Sequence, residues 1–530
     1  MRVIRSVGAC LLITLTCTHQ AVGQASVNVS TLDLVYRDLE KLKSFGLVDP
    51  GIVGQRPYTR LDFARFAQQA RGRLDATRSD YVRDLVERLE RRFGSELETL
   101  TAFRAVDQLH LELTGARSPP RLVRTNQGSA DAAINPLLGY RQGRKLVDGL
   151  TASVETVHWA RLSRQVAVYA HPRLQLSEVR GSAANVNDIA VQEAYGKLLL
   201  GNFAIQAGRA NMVWGQGRHA GLMLSENARG FDMVKLSNAE PRVLPGIFRF
   251  LGSFKASLFF ATTAADRSRH FLNSYILGYK VSVRPVEWLE IGGSFVVEAG
   301  GEGAPEASLG KRITDHIFLV DLFVTDADVF FSNKIGGFDI RVNVPGLRGL
   351  QLYGEAVFDD ITPSDIRKWL IQDSGYLAGI YVPRVDRTGR LDFSFEYQYG
   401  GVRLYRHSQF LTGLTFDRLF WGNILGPEGR AGYVELNWDA TYSNTLSLNA
   451  AYEGRSNDAY VSIDPDRPRK VRSLPQERRY RVVGSWTHRP LRQSFLIRML
   501  AGYERVNTFD FELGSNHGGA IAQVEFSVHF

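Results

Sequence analysis

Residues Gly519–Phe530 constrain this chain more than any other stretch. Val524, Phe526, Val528 and Phe530 share one side of an extended strand, and Gln523, Glu525, Ser527 and His529 share the other. Strict alternation of this kind gives a strand with one apolar and one polar face. The two faces must meet different solvents, so the strand lies either between core and water or between lipid and a wet interior.

The period of two is not local. Leu109, Leu111 and Leu113 begin it, and Tyr275, Leu277, Tyr279, Val281 and Val283 continue it against Lys280 and Ser282. Phe393, Phe395, Tyr397 and Tyr399 alternate with Ser394, Glu396 and Gln398; Val434, Leu436 and Trp438 alternate with Glu435, Asn437 and Asp439. Leu446, Leu448, Ala450 and Tyr452 alternate with Ser447, Asn449, Ala451 and Glu453. Two kinds of connection separate such runs. Val344-Pro345-Gly346 and Tyr442-Ser443-Asn444-Thr445 are tight, whereas Gly454–Arg479 is long, polar and rich in arginine (Arg467, Arg469, Lys470, Arg472, Arg478, Arg479). Short turns at one rim and long loops at the other are the habit of outer-membrane barrels, as is a closing strand that ends in phenylalanine. Lipid offers no partner to an unpaired strand edge, so such a sheet must close. The expectation is an all-β membrane protein: a large antiparallel transmembrane β-barrel of about 18 strands in the outer membrane. Its surroundings would be lipid and lipopolysaccharide, with the barrel-assembly machinery as a partner during insertion. Tyr353, Phe358, Tyr399, Trp438, Tyr442 and Tyr452 are expected in the interfacial girdles.

The N-terminal part reads differently. Arg2 and Arg5 precede an apolar run from Val7 to about Cys17, followed by small residues at Ala21-Val22-Gly23 and Ala25, which predicts a cleaved secretory signal peptide over residues 1–25. Both cysteines, Cys10 and Cys17, lie inside it, so the mature chain is expected to carry no disulfide and no thiolate-bound metal. Loss of Arg2 and Arg5 lowers the formal charge from +9 by 2, to +7, a mildly basic balance most simply carried by solvated arginines. Residues 26–100 predict a small helical bundle or plug on the periplasmic side, and residues 101–530 the barrel. Ser30 with Asp33 reads as a capping box ahead of Leu32, Val35, Leu39 and Leu42, with Gly46 as the stop. Thr59 and Asp62 open a second helix and Ser79 a third. The stretch from Val35 to Ala70 also loosely resembles a helical repeat that grips cell-wall polymer.

No nucleophile elbow, His-Glu-x-x-His helix or phosphate-cradling loop before a helix is present, so no catalytic residue, cofactor or metal is expected, and no nucleic-acid partner. The densest unusual stretch is Gly208–Pro241, which sets Arg209, Trp214, Arg218, His219 and Arg229 among small residues. Irregular backbone inside a barrel must be buried in protein or wetted, which predicts an infolded lumen loop. Aromatic faces and arginine forks suit a sugar ring and its carboxylates. Trp214-Gly215-Gln216-Gly217, then Leu222 through Arg229, then Pro241, resembles the central motif of the Wzi-type capsule-assembly family. Tyr405-Arg406-His407, Gly413 and Gly422-Asn423-Ile424-Leu425-Gly426-Pro427 are similar to that family's second block. The resemblance implies a barrel of about 18 strands that anchors capsular polysaccharide or exopolysaccharide at the cell surface, lectin-like and non-enzymatic. On that reading Arg209, Trp214, Arg218, His219 and Arg229 are ligand candidates on the lumen side, and Tyr405, Arg406 and His407 in the loops. The rival expectation is a porin-like diffusion channel for small solutes or oligosaccharides, suggested by the polar inner face.

Overall fold

The computed structural model describes residues 23–75, 79–118, 121–125, 131–134, 142–182, 185–317, 331–359, 370–462 and 468–530. Most of the expected signal peptide, and Arg467, lie outside them.

Eighteen antiparallel strands close into one barrel. They are β1 (Ala102–Arg117), β2 (Gly149–Arg161), β3 (Val166–Val179), β4 (Asn185–Leu200), β5 (Phe203–Ala210) and β6 (Phe231–Asn238). Next come β7 (Ser253–Thr262), β8 (Tyr275–Val286), β9 (Leu289–Ala299), β10 (Ser332–Asn343), β11 (Gln351–Asp359) and β12 (Ser374–Val382). The circuit ends with β13 (Leu391–Gly400), β14 (Gly429–Asp439), β15 (Asn444–Arg455), β16 (Glu477–His488), β17 (Phe495–Asn507) and β18 (Asn516–His529). β1 is the seam: Leu111 lies opposite Val154 of β2 on one side and opposite Phe526 of β18 on the other.

The two faces fall as the alternation requires. Val524 (45% exposed) and Trp438 (49%) point outward, while Gln523 (2%) and Gln398 (0%) are enclosed. Inside, charge is matched by charge. Lys280 on β8 pairs with Asp339 on β10, and the Arg479 Nε lies 3.1 Å from Glu504. A lumen of this width cannot be filled by apolar wall residues without giving up the water-facing pattern, and buried charges persist only when paired.

Three expectations about the wall and its loops change. Tyr353 is not in a girdle; it is 4% exposed inside the lumen and its hydroxyl donates to Glu396 at 2.9 Å. Arg478 and Arg479 are not loop residues, because β15 runs to Arg455 and β16 starts at Glu477; Ala459–Ser462 and Pro468–Arg472 form a small hairpin between them. The irregular stretch is 211–230 rather than 208–241. Residues on either side belong to β5 and β6, whose alternation is masked in the sequence by Arg209 and Asp232, both outward-facing and ion-paired at 2.8 Å.

Three helices sit at the short-turn mouth: α1 (Val35–Ser44), α2 (Arg60–Arg73) and α3 (Asp80–Phe93). Val35, Leu39, Leu42, Phe63, Val82, Val86, Leu89 and Phe93 join in one apolar cluster. The capping box opens α2, where Thr59 and Asp62 satisfy each other's backbone N–H groups. α1 has no such box. Leu32 is 48% exposed and precedes the helix, while Asp33 Oδ1 accepts from the Val35 N–H at 2.9 Å. Polar groups bind the bundle to the wall. Arg37 Nε donates to Asp392 at 2.9 Å, Arg37 also bonds Asp439 through both terminal nitrogens, and the Tyr81 hydroxyl donates to Asp439 at 2.6 Å.

Candidate functional site

The two motif blocks meet inside the barrel. Residues 211–230 fold in from the long-loop rim and dock on residues 401–428. Ser225 N–H donates to the Trp421 carbonyl at 2.8 Å, Asn227 Nδ2 donates to the Phe420 carbonyl at 3.0 Å, and the Tyr405 hydroxyl donates to the Leu222 carbonyl. At its deepest point the infold meets the N-terminal segment, with Gln55 and Arg56 paired antiparallel to Trp214 and Val213. The lumen is thus occupied from both mouths.

The glycines of Gly215-x-Gly217 make this possible. Glu355 of β11 projects into the turn and accepts the N–H groups of Gln216 (2.6 Å), Gly217 (2.6 Å) and Leu222 (2.7 Å). A Cβ on Gly215 (φ +137°) would come within 2.4 Å of that carboxylate. Successive N–H groups folded around an anion form a nest, here closed on one of the protein's own side chains. Gln216, wholly buried, donates to Asp339 (2.7 Å) and accepts from Arg341 Nε (2.8 Å), so the wall's ion pairs extend into the plug.

Within this frame most of the sequence candidates are structural. Trp214 is 2% exposed and packs edge-on against Phe259, so its face is covered. Arg218 stacks on the Tyr381 ring with its guanidinium carbon 3.6 Å from the centroid, and His219 stacks on Tyr433 at 4.5 Å. Tyr405 is 1% exposed and accepts from the Asn423 N–H. Arg406 bonds Glu428 at 3.1 Å, and His407 Nδ1 accepts from the N–H groups of Gln409 and Phe410. Arg209 stands on the outer wall. All of these but Arg209 hold the plug together, and the structure does not gather them at one surface.

Arg229 differs. It lies half-buried at the long-loop rim, where residues 211–230, 263–274 and 401–428 knit together. Its Nε is 2.6 Å from Asp417 and its guanidinium covers Phe416, and the Asp417 N–H donates to Asp266. Burial pushes the Asp417 carboxyl up, with Arg229, Lys145 and Arg209 pulling it down. Arg267, His270 and Arg418 are exposed around this junction, and Lys145 is exposed nearby. The result is a basic, solvated outer surface carried on a rigid floor. The sequence reading missed Arg267 and His270; the run Asp266-Arg267-Ser268-Arg269-His270 between two strands was the available cue. Among the described residues no group of three or more His, Cys, Asp or Glu has metal-binding geometry.

On the other side of the lumen a cavity of about 740 Å³ remains, lined by Arg60, Arg144, Trp159, His171, Arg498 and Glu525 among others.

Fold and filling together define a class: an outer-membrane β-barrel whose interior is stoppered by its own loops and N-terminal helices. The chain belongs to the capsule assembly protein Wzi family, whose model matches residues 127–519. It is similar in fold to the Escherichia coli outer-membrane protein Wzi, described as involved in group 1 capsule assembly and as a carbohydrate-binding β-barrel. That match has a TM-score of 0.65 at 16% identity and covers 96% of this chain and 99% of that one. OccD3 (OpdP) of Pseudomonas aeruginosa aligns at 9% identity with a TM-score of 0.43, over 81% of this chain and 91% of its own. A 55.8 kDa protein of unassigned function from the cps region of Klebsiella pneumoniae is 26% identical over 187 residues. That match spans about a third (34%) of each chain.

Proposed function

We propose that this barrel retains an acidic capsular polysaccharide or exopolysaccharide on the outer face of the cell, as a non-enzymatic, lectin-like anchor. One observation carries the reading: the two motif blocks are spent on closing the lumen, and the closure presents a basic surface outward. A conduit would need the space that Trp214, Leu222, Tyr405 and Trp421 fill. Family membership and the carbohydrate binding ascribed to E. coli Wzi support the same reading.

On this proposal the polymer lies across the rim over Arg229, Arg267, His270 and Arg418, where guanidinium forks meet uronate carboxylates. Trp214, Arg218, His219, Tyr405, Arg406 and His407 set the floor beneath it, and residues 26–100 stopper the periplasmic mouth. Each contact is solvent-exposed and weak, so affinity comes from many of them along one chain.

The test uses a deletion strain complemented with the wild-type gene or with Arg267→Ala/His270→Ala/Arg418→Ala. Cells with the triple variant are expected to shed labelled capsule into the medium, as the deletion does, with equal barrel in the membrane. Full retention by the deletion strain refutes the anchor role. Full retention by the triple variant alone removes the rim surface from the proposal. In planar bilayers the purified protein is expected to be silent; large open steps would favour a diffusion channel instead.

A further inference from the structure

A second, smaller pocket lies away from that surface, between the N-terminal segment and the inner faces of β4–β7. Its volume is about 90 Å³. It is lined by six cationic side chains (Arg56, Arg65, Lys197, Lys235, Arg242 and Lys255) and two carboxylates, Asp62 and Glu240. Both carboxylates have close partners. Asp62 Oδ2 closes the capping box with Thr59, and Glu240 lies 2.6 Å from Arg65 at the pocket mouth.

Lys197, Lys235 and Lys255 have no carboxylate in ion-pair contact among the described residues. Lys197 Nζ is half-satisfied by neutral acceptors, the Ser26 carbonyl at 2.9 Å and Asn28 Oδ1 at 2.7 Å. Among the described residues, Lys235 has no hydrogen bond or ion pair, and the Lys255 ammonium has only the Tyr58 ring, 5.9 Å away. Arg56 Nε also lacks a partner. Between Lys197 and Lys235 stands Gln206, in register with both, 2% exposed, and its amide Nε2 donates to nothing. Buried donors such as the Gln206 amide are normally satisfied, and Lys235 and Lys255 stand half-buried beside it. Water can accept from the Gln206 amide but adds no negative charge, and the six cations outnumber the two carboxylates that line the space. An anion answers both needs.

We propose that this pocket binds one oxyanion of the phosphate or sulfate class, held by Lys235, Lys255 and the Gln206 amide with Arg56 alongside. Size agrees. The space is far below the ~300 Å³ of the smallest drug-sized sites, so it excludes a polysaccharide. Gly201, Asn202, Glu240 and Arg242 of the short-turn rim edge the pocket, so the anion enters from the periplasmic mouth. Its source is either a free anion or the phosphate monoester end of a larger molecule. Once bound, it ties residues 24–28 and 56–62 to the wall.

The test takes the purified full-length protein in detergent and reads its thermal unfolding midpoint in sodium phosphate against sodium chloride at matched ionic strength. The midpoint is expected to climb and saturate with phosphate. In Lys235→Gln and in Lys255→Gln the half-saturating concentration rises about tenfold each, the scale of one charge-assisted hydrogen bond. Gln206→Leu keeps every charge and is expected to weaken phosphate as well, which guards against a lysine variant that fails to fold. No phosphate-specific rise in wild type, or an identical rise in the folded variants, overturns the site. Glucose 1-phosphate separates the sources. A rise with it supports a site open to a monoester end, and no rise, with inorganic phosphate active, supports a site for the free anion alone.

Discussion

Replacing Glu355 with glutamine is the sharpest probe of how the lumen is closed. Three backbone N–H groups, from Gln216, Gly217 and Leu222, converge on one carboxylate at 2.6–2.7 Å. Hydrogen bonds to a charged acceptor contribute about 1.5–3 kcal/mol each, neutral ones about 0.5–1.5. Glutamine keeps one acceptor oxygen and turns an NH₂ toward the remaining donors. The net loss is about 3 kcal/mol, which multiplies the open fraction of the loop by roughly 150. The wall itself is untouched, because β11 keeps its ladders to β10 and β12. The expected outcome is therefore local. Amides of 211–230 exchange about a hundredfold faster, and trypsin cuts at Arg218, while heat-modifiable migration of the barrel is retained. Unchanged exchange of these amides in Glu355→Gln would refute the idea that the nest holds the plug, and loss of the folded barrel would refute its locality.

Tyr405→Phe removes a donor to the Leu222 carbonyl and an acceptor for the Asn423 N–H. It is expected to cost about 1–3 kcal/mol, read as faster exchange in both docked loops. Lys280→Met leaves Asp339 buried without its cation and is expected to destabilise the barrel by about 3–5 kcal/mol in urea titration from vesicles. Glu40 of α1 gives a pH signature. Burial opposes its ionisation, but Lys43, Arg341 and the Gln351 amide bring its pKa down from 4.5 to about 2. A depressed carboxyl stabilises the fold fully above 4.5 and loses that contribution as pH falls toward 2. Release of the α1–α3 region by pepsin, which is active at acid pH, is expected to rise over that window, and Glu40→Gln to flatten the rise; an unchanged profile in the variant would remove Glu40 as the cause.

The barrel was legible in the sequence because each wall strand states its two environments residue by residue. Gln398 and Tyr397 are neighbours in sequence and differ in exposure by 0% against 44%. Helix α2 was legible through a local device, its capping box. The plug was only half so. In sequence Trp214 has the look of a sugar platform, and only the fold shows that it is buried against Phe259. The same holds for Glu355, an inward residue of an ordinary strand whose role depends on a loop more than a hundred positions away in the chain. Arg209 was misplaced for a related reason. An outward arginine breaks the alternation unless its cross-strand partner, Asp232, is known to stand beside it. Long-range pairings of this kind leave no periodic trace in one sequence.

The join between β1 and β18 has a consequence for how the molecule is made. Three helices stand at one mouth of the ring that this join completes, the N-terminal segment and two infolded loops lie within it, and their polar contacts reach strands on several sides. The loops enter through one open mouth and the N-terminal segment through the other, so the ring can zip before either is seated. What the Leu111–Phe526 register fixes is the bore that both must then fill.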